Sequence, residues 1–150
     1  MIVRIVLAVV VVFVVWSALD YVMHDVLLSK SYEEMKDLWR GRDEMKLTLI
    51  AAVTAVVSIC FVSIYAFFTH CRCAGKGVIF GLLWGTAAGV SMGFGTYATM
   101  RVPLHLGVIW CLGTIVKCAV AGFLVGILVV HPKPPDAETD ATGEAGPETS

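Results

Sequence analysis

The sequence predicts an all-α integral membrane protein, a four-helix bundle with a short interfacial helix between the first two spans. Of its 150 residues, 58% are hydrophobic and only 15% are charged, and the mean hydropathy is +0.83. Soluble domains are about 45–50% apolar and about 25% charged. The apolar residues form four runs of at least the length, about 20 residues, that crosses a bilayer as a helix. This composition argues against a disordered protein, a basic nucleic-acid-binding domain and a water-soluble enzyme.

One domain, residues 1–130, is predicted to contain the four spans, which cover about residues 2–28, 47–69, 77–99 and 102–130. Pro103 fits the start of the last span, because a proline in the first turn lacks only an N–H that has no helical partner. Trp16 is a poor residue for the −3 position of a signal-peptidase site, so we expect the first span to stay uncleaved. Residues 131–150 hold five acids and one lysine, and we expect this Pro-containing tail to be disordered.

The connection of residues 29–46 has the pattern of a short helix lying in the membrane interface. Ser31 and Glu34 match the S-x-x-E capping box, which marks a helix start. Gly41 is expected to end this helix. Its apolar face consists of Tyr32, Met35, Leu38 and Trp39. We expect this face to place Trp39 at headgroup depth. An ordinary solvated connection is the alternative.

The charge distribution gives two opposing signals about orientation. The side that carries both termini has four Lys and Arg residues, and the other side has six. The count of Lys and Arg alone therefore places the first connection on the cytoplasmic side. However, most charges of that connection are paired with acids, and Arg4 precedes the first apolar run. We therefore expect an N-in, C-in orientation, against the count.

The third span carries glycines at every fourth position, a glycine-zipper pattern formed by Gly77, Gly81, Gly85, Gly89 and Gly93. On a helix, these positions make a groove without side chains that a second helix can approach closely. Close packing matters in a membrane, because lipid provides no hydrophobic drive between helices. Packing within the chain is the first interpretation, and a homo-oligomer seam and a glycine-lined pore are the alternatives.

Ionisable residues inside the predicted spans are the candidate functional residues, because charges at bilayer depth are costly and rarely face lipid. Asp20 and His24 lie one turn apart on the first span, and Lys117 lies near the middle of the fourth. Its long side chain is able to reach toward Asp20. The order of the hairpins places further polar residues at the same end of the bundle. The predicted intramembrane polar cluster is Asp20, His24, Glu44, Tyr97, His105 and Lys117.

Four interpretations of this cluster stay open. The first is a structural pair of Asp20 with Lys117 or His24 that fixes helix register. The second is a divalent metal or haem site at His24 and His105, although no H-x-x-x-H or E-x-x-H motif supports it. The third is a proton or ion path through Asp20, His24 and Lys117, because histidine exchanges protons near neutral pH. The fourth is acid–base catalysis.

Several stretches resemble small four-span bacterial membrane proteins of unassigned function. They are the sequences DYVMHDVLL, LWR, EM, KGVIFGLLWG and SMGFGTY at residues 20–28, 38–40, 44–45, 76–85 and 91–97. The resemblance covers most of residues 15–128. It implies a four-helix topology and a place in the bacterial inner membrane, and it implies no activity.

The expected function is that of a non-enzymatic, multi-pass membrane protein. The sequence has no Ser/His/Asp order, phosphate loop or nucleophile elbow, so no catalytic residue and no cofactor is predicted. The expected partners are membrane lipid and either a second copy or a larger membrane complex, and no nucleic acid. The alternatives are a small proton- or ion-coupled transporter using Asp20, His24 and Lys117, and a metal or haem protein using His24 and His105.

Overall fold

The computed structural model describes residues 2–69 and 73–129, and these residues form helices and no β-strand. The α-helices are α1 (Ile2–Tyr21), α2 (Ser29–Glu34), α3 (Leu47–Phe68), α4 (Ala74–Thr99) and α5 (Leu104–Leu128). A π-helical turn, Val22–Leu27, continues α1, and a 3-10 turn, Arg42–Glu44, precedes α3. The predicted all-α class is confirmed. The predicted acidic tail, residues 131–150, lies outside the described residues.

Four helical segments are long and apolar enough to cross a membrane, namely Ile2–Leu27, Leu47–Phe68, Ala74–Thr99 and Leu104–Leu128. The shortest has 22 residues, or about 33 Å of helix, against a hydrocarbon thickness of about 30 Å. The ends of the segments lie within three residues of the predicted bounds. Pro103 is the N-cap residue of α5, and its fixed φ of −64° belongs to extended backbone before the first turn. The predicted spans therefore correspond to four real helices.

The closest helix pair is α4 and α5, which meet along the glycine row. Gly77, Gly81, Gly85, Gly89 and Gly93 are all buried. A Cβ at Gly85 would lie 2.9 Å from the Ile115 Cα, and one at Gly89 would lie 2.7 Å from the Cys111 carbonyl oxygen. Real Cβ atoms essentially never approach so closely. The row thus lies against α5 of the same chain.

The main hydrophobic core joins α1, α3, α4 and α5 through aromatic side chains. Phe61 of α3 is fully buried at its centre. Its ring centroid lies 5.2 Å from that of Trp16, 4.8 Å from that of Phe80 and 6.0 Å from that of Trp84. Edge-to-face and tilted rings at this separation attract beyond the area that they bury. Phe61 therefore connects α3 to both α1 and α4.

A second, smaller core lies at the end of the molecule where the first connection crosses α5. Its buried members are Met23, Leu28, Val102, Leu106 and Trp110. Three half-buried side chains of the connection pack against them, namely Tyr32, Met35 and Trp39. The predicted apolar face is therefore directed mainly at protein, with Leu38 left 42% exposed.

The predicted bounds and capping box of the connecting helix are wrong. The helix α2 begins at Ser29 and ends at Glu34, well before Gly41, and no side chain caps its start. The reason for the early start is that the π-helical turn runs almost directly into α2, so the Leu28 carbonyl accepts from Tyr32 N–H. Ser31 lies inside the helix and is not its N-cap. After Glu34 the chain forms turns, with Leu38 N–H bonded to the Met35 carbonyl.

Candidate functional site

An ion pair between α1 and α5 is the centre of the candidate site. Lys117 Nζ lies 2.6 Å from Asp20 Oδ1, which makes both a hydrogen bond and a salt bridge. The side chain of Lys117 is 20% exposed and that of Asp20 is 28% exposed. Both residues lie in segments that are apolar enough to span a membrane. Each charge therefore has its partner within the same chain.

Trp16 fixes the lysine of this pair from the α1 side. Trp16 lies four residues before Asp20, so the two side chains share a face of α1. The Trp16 indole donates a hydrogen bond to the main-chain carbonyl of Lys117 at 3.1 Å. The Lys117 ammonium also lies 5.6 Å from the centroid of the Trp16 ring, within cation–π range. These contacts orient Lys117 toward Asp20.

His24 forms a separate hydrogen-bonded group next to the ion pair. His24 lies in the π-helical turn, and its Nδ1 is 2.6 Å from the Tyr32 hydroxyl. Trp110 of α5 donates its indole N–H to the same hydroxyl at 2.9 Å. His24 makes no hydrogen bond with Asp20 in the part of the chain that the structure describes. Single π-helical turns are rare and occur frequently at functional sites.

Tyr32 is the residue that joins the first connection to both α1 and α5. Burial raises the pKa of the Tyr32 hydroxyl, while the hydrogen bond from Trp110 acts in the opposite direction and stabilises the anion. The hydroxyl therefore stays protonated at neutral pH and keeps one hydrogen to donate.

The predicted polar cluster forms only in part. Asp20 and Lys117 are paired, and His24 lies close enough for both charges to act on it. The other three predicted members are exposed, and no hydrogen bond or ion pair between described residues joins them to this group. These are Glu44, Tyr97 and His105.

Sequence reasoning did not place Trp110 or Tyr32 in the site. Trp110 precedes Lys117 by seven residues, which is two helical turns and the same face of α5, so helix periodicity gave a usable signal. For Tyr32 no such signal exists, because its position depends on how the connection folds back over α5. The sequence predicts Tyr32 only as part of an apolar face.

The metal and haem alternative gains no support from the described residues. Within residues 2–69 and 73–129, no group of three or more His, Cys, Asp and Glu side chains is arranged to hold a metal ion. His24 Nδ1 is already bonded to Tyr32, and His105 is exposed. We therefore do not assign His24 or His105 as metal ligands.

The sequence matches no protein-family profile, no curated protein and no solved structure. The class of protein is therefore inferred from the fold. Four long apolar helices are compatible with a membrane protein.

Proposed function

We propose that this chain is a multi-pass integral membrane protein that acts without catalysis, as a packed helical subunit that associates with a second copy or with a larger membrane complex. The Asp20–Lys117 pair is the observation that carries this proposal. An unpaired charge within a bilayer is costly. Here the two charges satisfy each other and join α1 to α5. Their role in this proposal is to fix helix register and leave an apolar exterior.

The exterior of the four long helices supports a membrane location. Large apolar side chains are strongly exposed on each of them, such as Leu7 at 51%, Val56 at 59%, Leu83 at 68% and Val116 at 60%. Water-soluble monomers rarely expose contiguous apolar surface on this scale. Such an apolar surface is suited to contact with lipid or with another membrane helix. The proposed location is the bacterial cytoplasmic membrane, with the N-terminus inside.

The helix α3 is the proposed site of lateral association. Phe61 and Tyr65 anchor it to the main core. The N-terminal half of α3 presents small residues, with Ala51 exposed and Ala55 half-buried, four residues apart. Small residues at this spacing allow membrane helices to approach closely. A second copy of α3 or a helix of a partner protein fits such a surface.

Crosslinking in native membranes tests this proposal. We expect a short amine- or cysteine-directed crosslinker to capture a dimer or a larger complex. The A51L/A55L variant should lose that product, because leucine side chains separate the helices. V6L is the matched control, since Val6 is 57% exposed on another helix. A monomer with no captured neighbour, both in detergent and in native membrane, would overturn the proposal.

A second candidate function is proton or ion coupling through Asp20, His24 and Lys117. The observation that favours it is the partial exposure of the ion pair, 28% and 20%, beside a histidine on which both charges act. Water that reaches the pair is able to exchange protons with His24. Liposomes containing the protein should then show a proton or cation flux that the D20N variant lacks. Flux equal to that of empty liposomes would remove this candidate.

A further inference from the structure

The helix α3 packs against the rest of the molecule with only one of its halves. Every residue from position 47 to position 53, about two turns of helix, is exposed. A helix that packs on a neighbour buries residues in every turn, because one face recurs every three or four residues. The first two turns of α3 therefore have no packing partner among the described residues. The buried residues of α3 all lie further along, and are Ser58, Phe61, Val62, Tyr65 and Ala66.

The unpartnered half of α3 includes the continuation of its packed face. Positions three, four and seven before the buried Ser58 share its side of the helix, and they hold Ala55, Thr54 and Ala51. Ala51 is nevertheless exposed, and the other two are half-buried. We call these three residues the inner face of α3. They all have small side chains, and they point to the side on which the core lies further along the helix.

The inner face lacks a neighbour because the corresponding part of α1 lies against α5. Asp20 is bonded to Lys117, and the Met23 sulfur lies against Gly113. The contact of α1 with α3 includes Phe61 and lies in the packed half of α3. On the side of the first connection, α1 therefore stays with α5, and the described residues leave an open space beside the inner face.

A membrane helix suits this space better than lipid. The opposite side of the same two turns carries large apolar side chains, such as Val53, which is 54% exposed. That side resembles an ordinary lipid-facing surface. The inner face carries only alanine and threonine, and residues of this size are typical of positions where two membrane helices approach closely.

A second copy of this chain brings such a helix. Two copies in one membrane have parallel α3 helices, related by a two-fold axis along the membrane normal. Each copy then offers two unpartnered turns of α3 and has an open space beside them. We propose that the N-terminal halves of two α3 helices pack on each other through Ala51, Thr54 and Ala55, with Ala51 near the axis. This dimer rests on the lateral association proposed above and names its partner and its contact face.

The charges before α3 favour a second copy over an unrelated partner. Glu44 and Lys46 are exposed, and neither is in an ion pair with another described residue. Parallel α3 helices place both residues of each copy at the same membrane surface, near the partner's Lys46 and the partner's Glu44. Opposite charges across an interface set register and disfavour wrong partners. Because one copy carries both signs, two identical copies complement each other twice.

Disulfide trapping in native membranes tests the dimer. The background is C60A/C71S/C73S, because Cys60 and Cys73 are exposed, whereas Cys111 and Cys118 are buried and stay in place. Two copies with different epitope tags are expressed together and oxidised with a lipid-soluble catalyst. A product that carries both tags and is split by a reductant contains two copies of this chain.

The decisive comparison is between A51C and V53C in that background. The two positions lie at similar depth but on nearly opposite sides of α3, and both are exposed, so neither substitution disturbs the packing within one copy. We expect A51C to give about ten-fold more two-tag dimer than V53C, because a disulfide needs Cα atoms within about 7 Å of each other.

Charge exchange gives a second measurement of the same contact. E44K or K46E alone places like charges together, so each should lower the A51C dimer yield. Expression of E44K in one copy with K46E in the other restores opposite charges and should restore the yield. K36E, at an exposed lysine of the first connection, is the control and should leave the yield unchanged.

Three outcomes would overturn the second copy as the occupant. They are equal trapping of A51C and V53C, no trapping at either position, and a yield that the mixed E44K and K46E copies do not restore. If the crosslinker of the preceding section still captures a neighbour, lateral association stands with a different partner or face. If it captures nothing, both proposals fail.

Discussion

Trp16 holds Lys117 at two points, because its indole donates to the lysine carbonyl at 3.1 Å while its ring lies 5.6 Å from the lysine ammonium. The same lysine is paired with Asp20, one turn further along α1. The contact between α1 and α5 therefore depends on one tryptophan, one lysine and one aspartate. Trp16 thus makes a polar contact with α5 through Lys117 and an aromatic contact with α3 through Phe61.

Replacing Trp16 by phenylalanine tests the first of these contacts. W16F keeps an aromatic ring against Phe61 but loses the hydrogen bond to Lys117, and we expect the free energy of unfolding to fall by about 1–2 kcal/mol. Denaturant unfolding in detergent, followed by circular dichroism, measures this change. W84F is the control, because Trp84 packs on Phe61 without a hydrogen bond to another described residue. Equal losses in both variants would contradict the assigned role of the Trp16 indole.

Replacing Lys117 by methionine removes the cation and leaves Asp20 unpaired. Breaking a fully buried pair costs about 3–5 kcal/mol. Since both side chains keep some exposure, we expect about 1–3 kcal/mol here. The double variant D20N/K117M should recover part of the loss, because neither charge is then left alone. K30M, at an exposed lysine, should change stability little, and additive losses from D20N and K117M would argue against direct coupling.

The glycine row offers a pair of substitutions within one helix. A Cβ at Gly81 would lie 2.9 Å from the Cys118 carbonyl carbon and 3.1 Å from the Ala119 Cα, whereas a Cβ at Gly95 meets nothing within 4 Å. G81A should therefore separate α4 from α5 and lower the free energy of unfolding by about 1–3 kcal/mol. G95A should leave it unchanged or raise it slightly, because alanine is the better helix former. Two variants of equal stability would show that α4 and α5 do not meet in this way.

Cysteine labelling in intact cells tests orientation. Leu38 and Cys73 lie at opposite ends of α3 and are both exposed. For an N-in protein, an impermeant maleimide should label L38C placed in a C71S/C73S background, and should label the native Cys73 only after the cells are opened. Cys60, exposed within α3, should react with a lipid-soluble reagent only. The reverse labelling pattern would establish an N-out protein, in agreement with the bare count of basic residues.

The ionisation of Tyr32 should be displaced to higher pH than the ordinary value of about 10, because burial disfavours the phenolate. Its contribution to folding is complete below the unfolded pKa and is lost as the pH rises through the higher folded pKa. An absorbance titration of phenolate formation measures this value. The Y32F variant should lose one tyrosine equivalent from the late part of the titration, and Y97F should keep it. An unchanged late amplitude in Y32F would assign that component to another tyrosine.

Local signals in the sequence account for much of this protein. The runs of apolar residues predicted four helices to within three residues, because a long apolar stretch satisfies its backbone internally as a helix. Helical spacing predicted that Asp20 and His24 share one face of the first span and that the glycines of α4 meet a second helix. The reach of a lysine side chain made Lys117 one of two expected partners for Asp20, with His24 as the other, since a charge at that depth is costly when unpaired.

The packing and hydrogen bonds of the first connection are visible only in the tertiary structure. Ser31 and Glu34 predicted a helix start that the structure does not have, because Leu28, directly after the π-helical turn, already supplies the first carbonyl of α2. The bonds of Tyr32 to His24 and Trp110 span 8 and 78 residues of sequence. No periodicity encodes such contacts. They exist because the chain folds back over α5 and buries aromatic surface there, and the position of His24 follows from that packing.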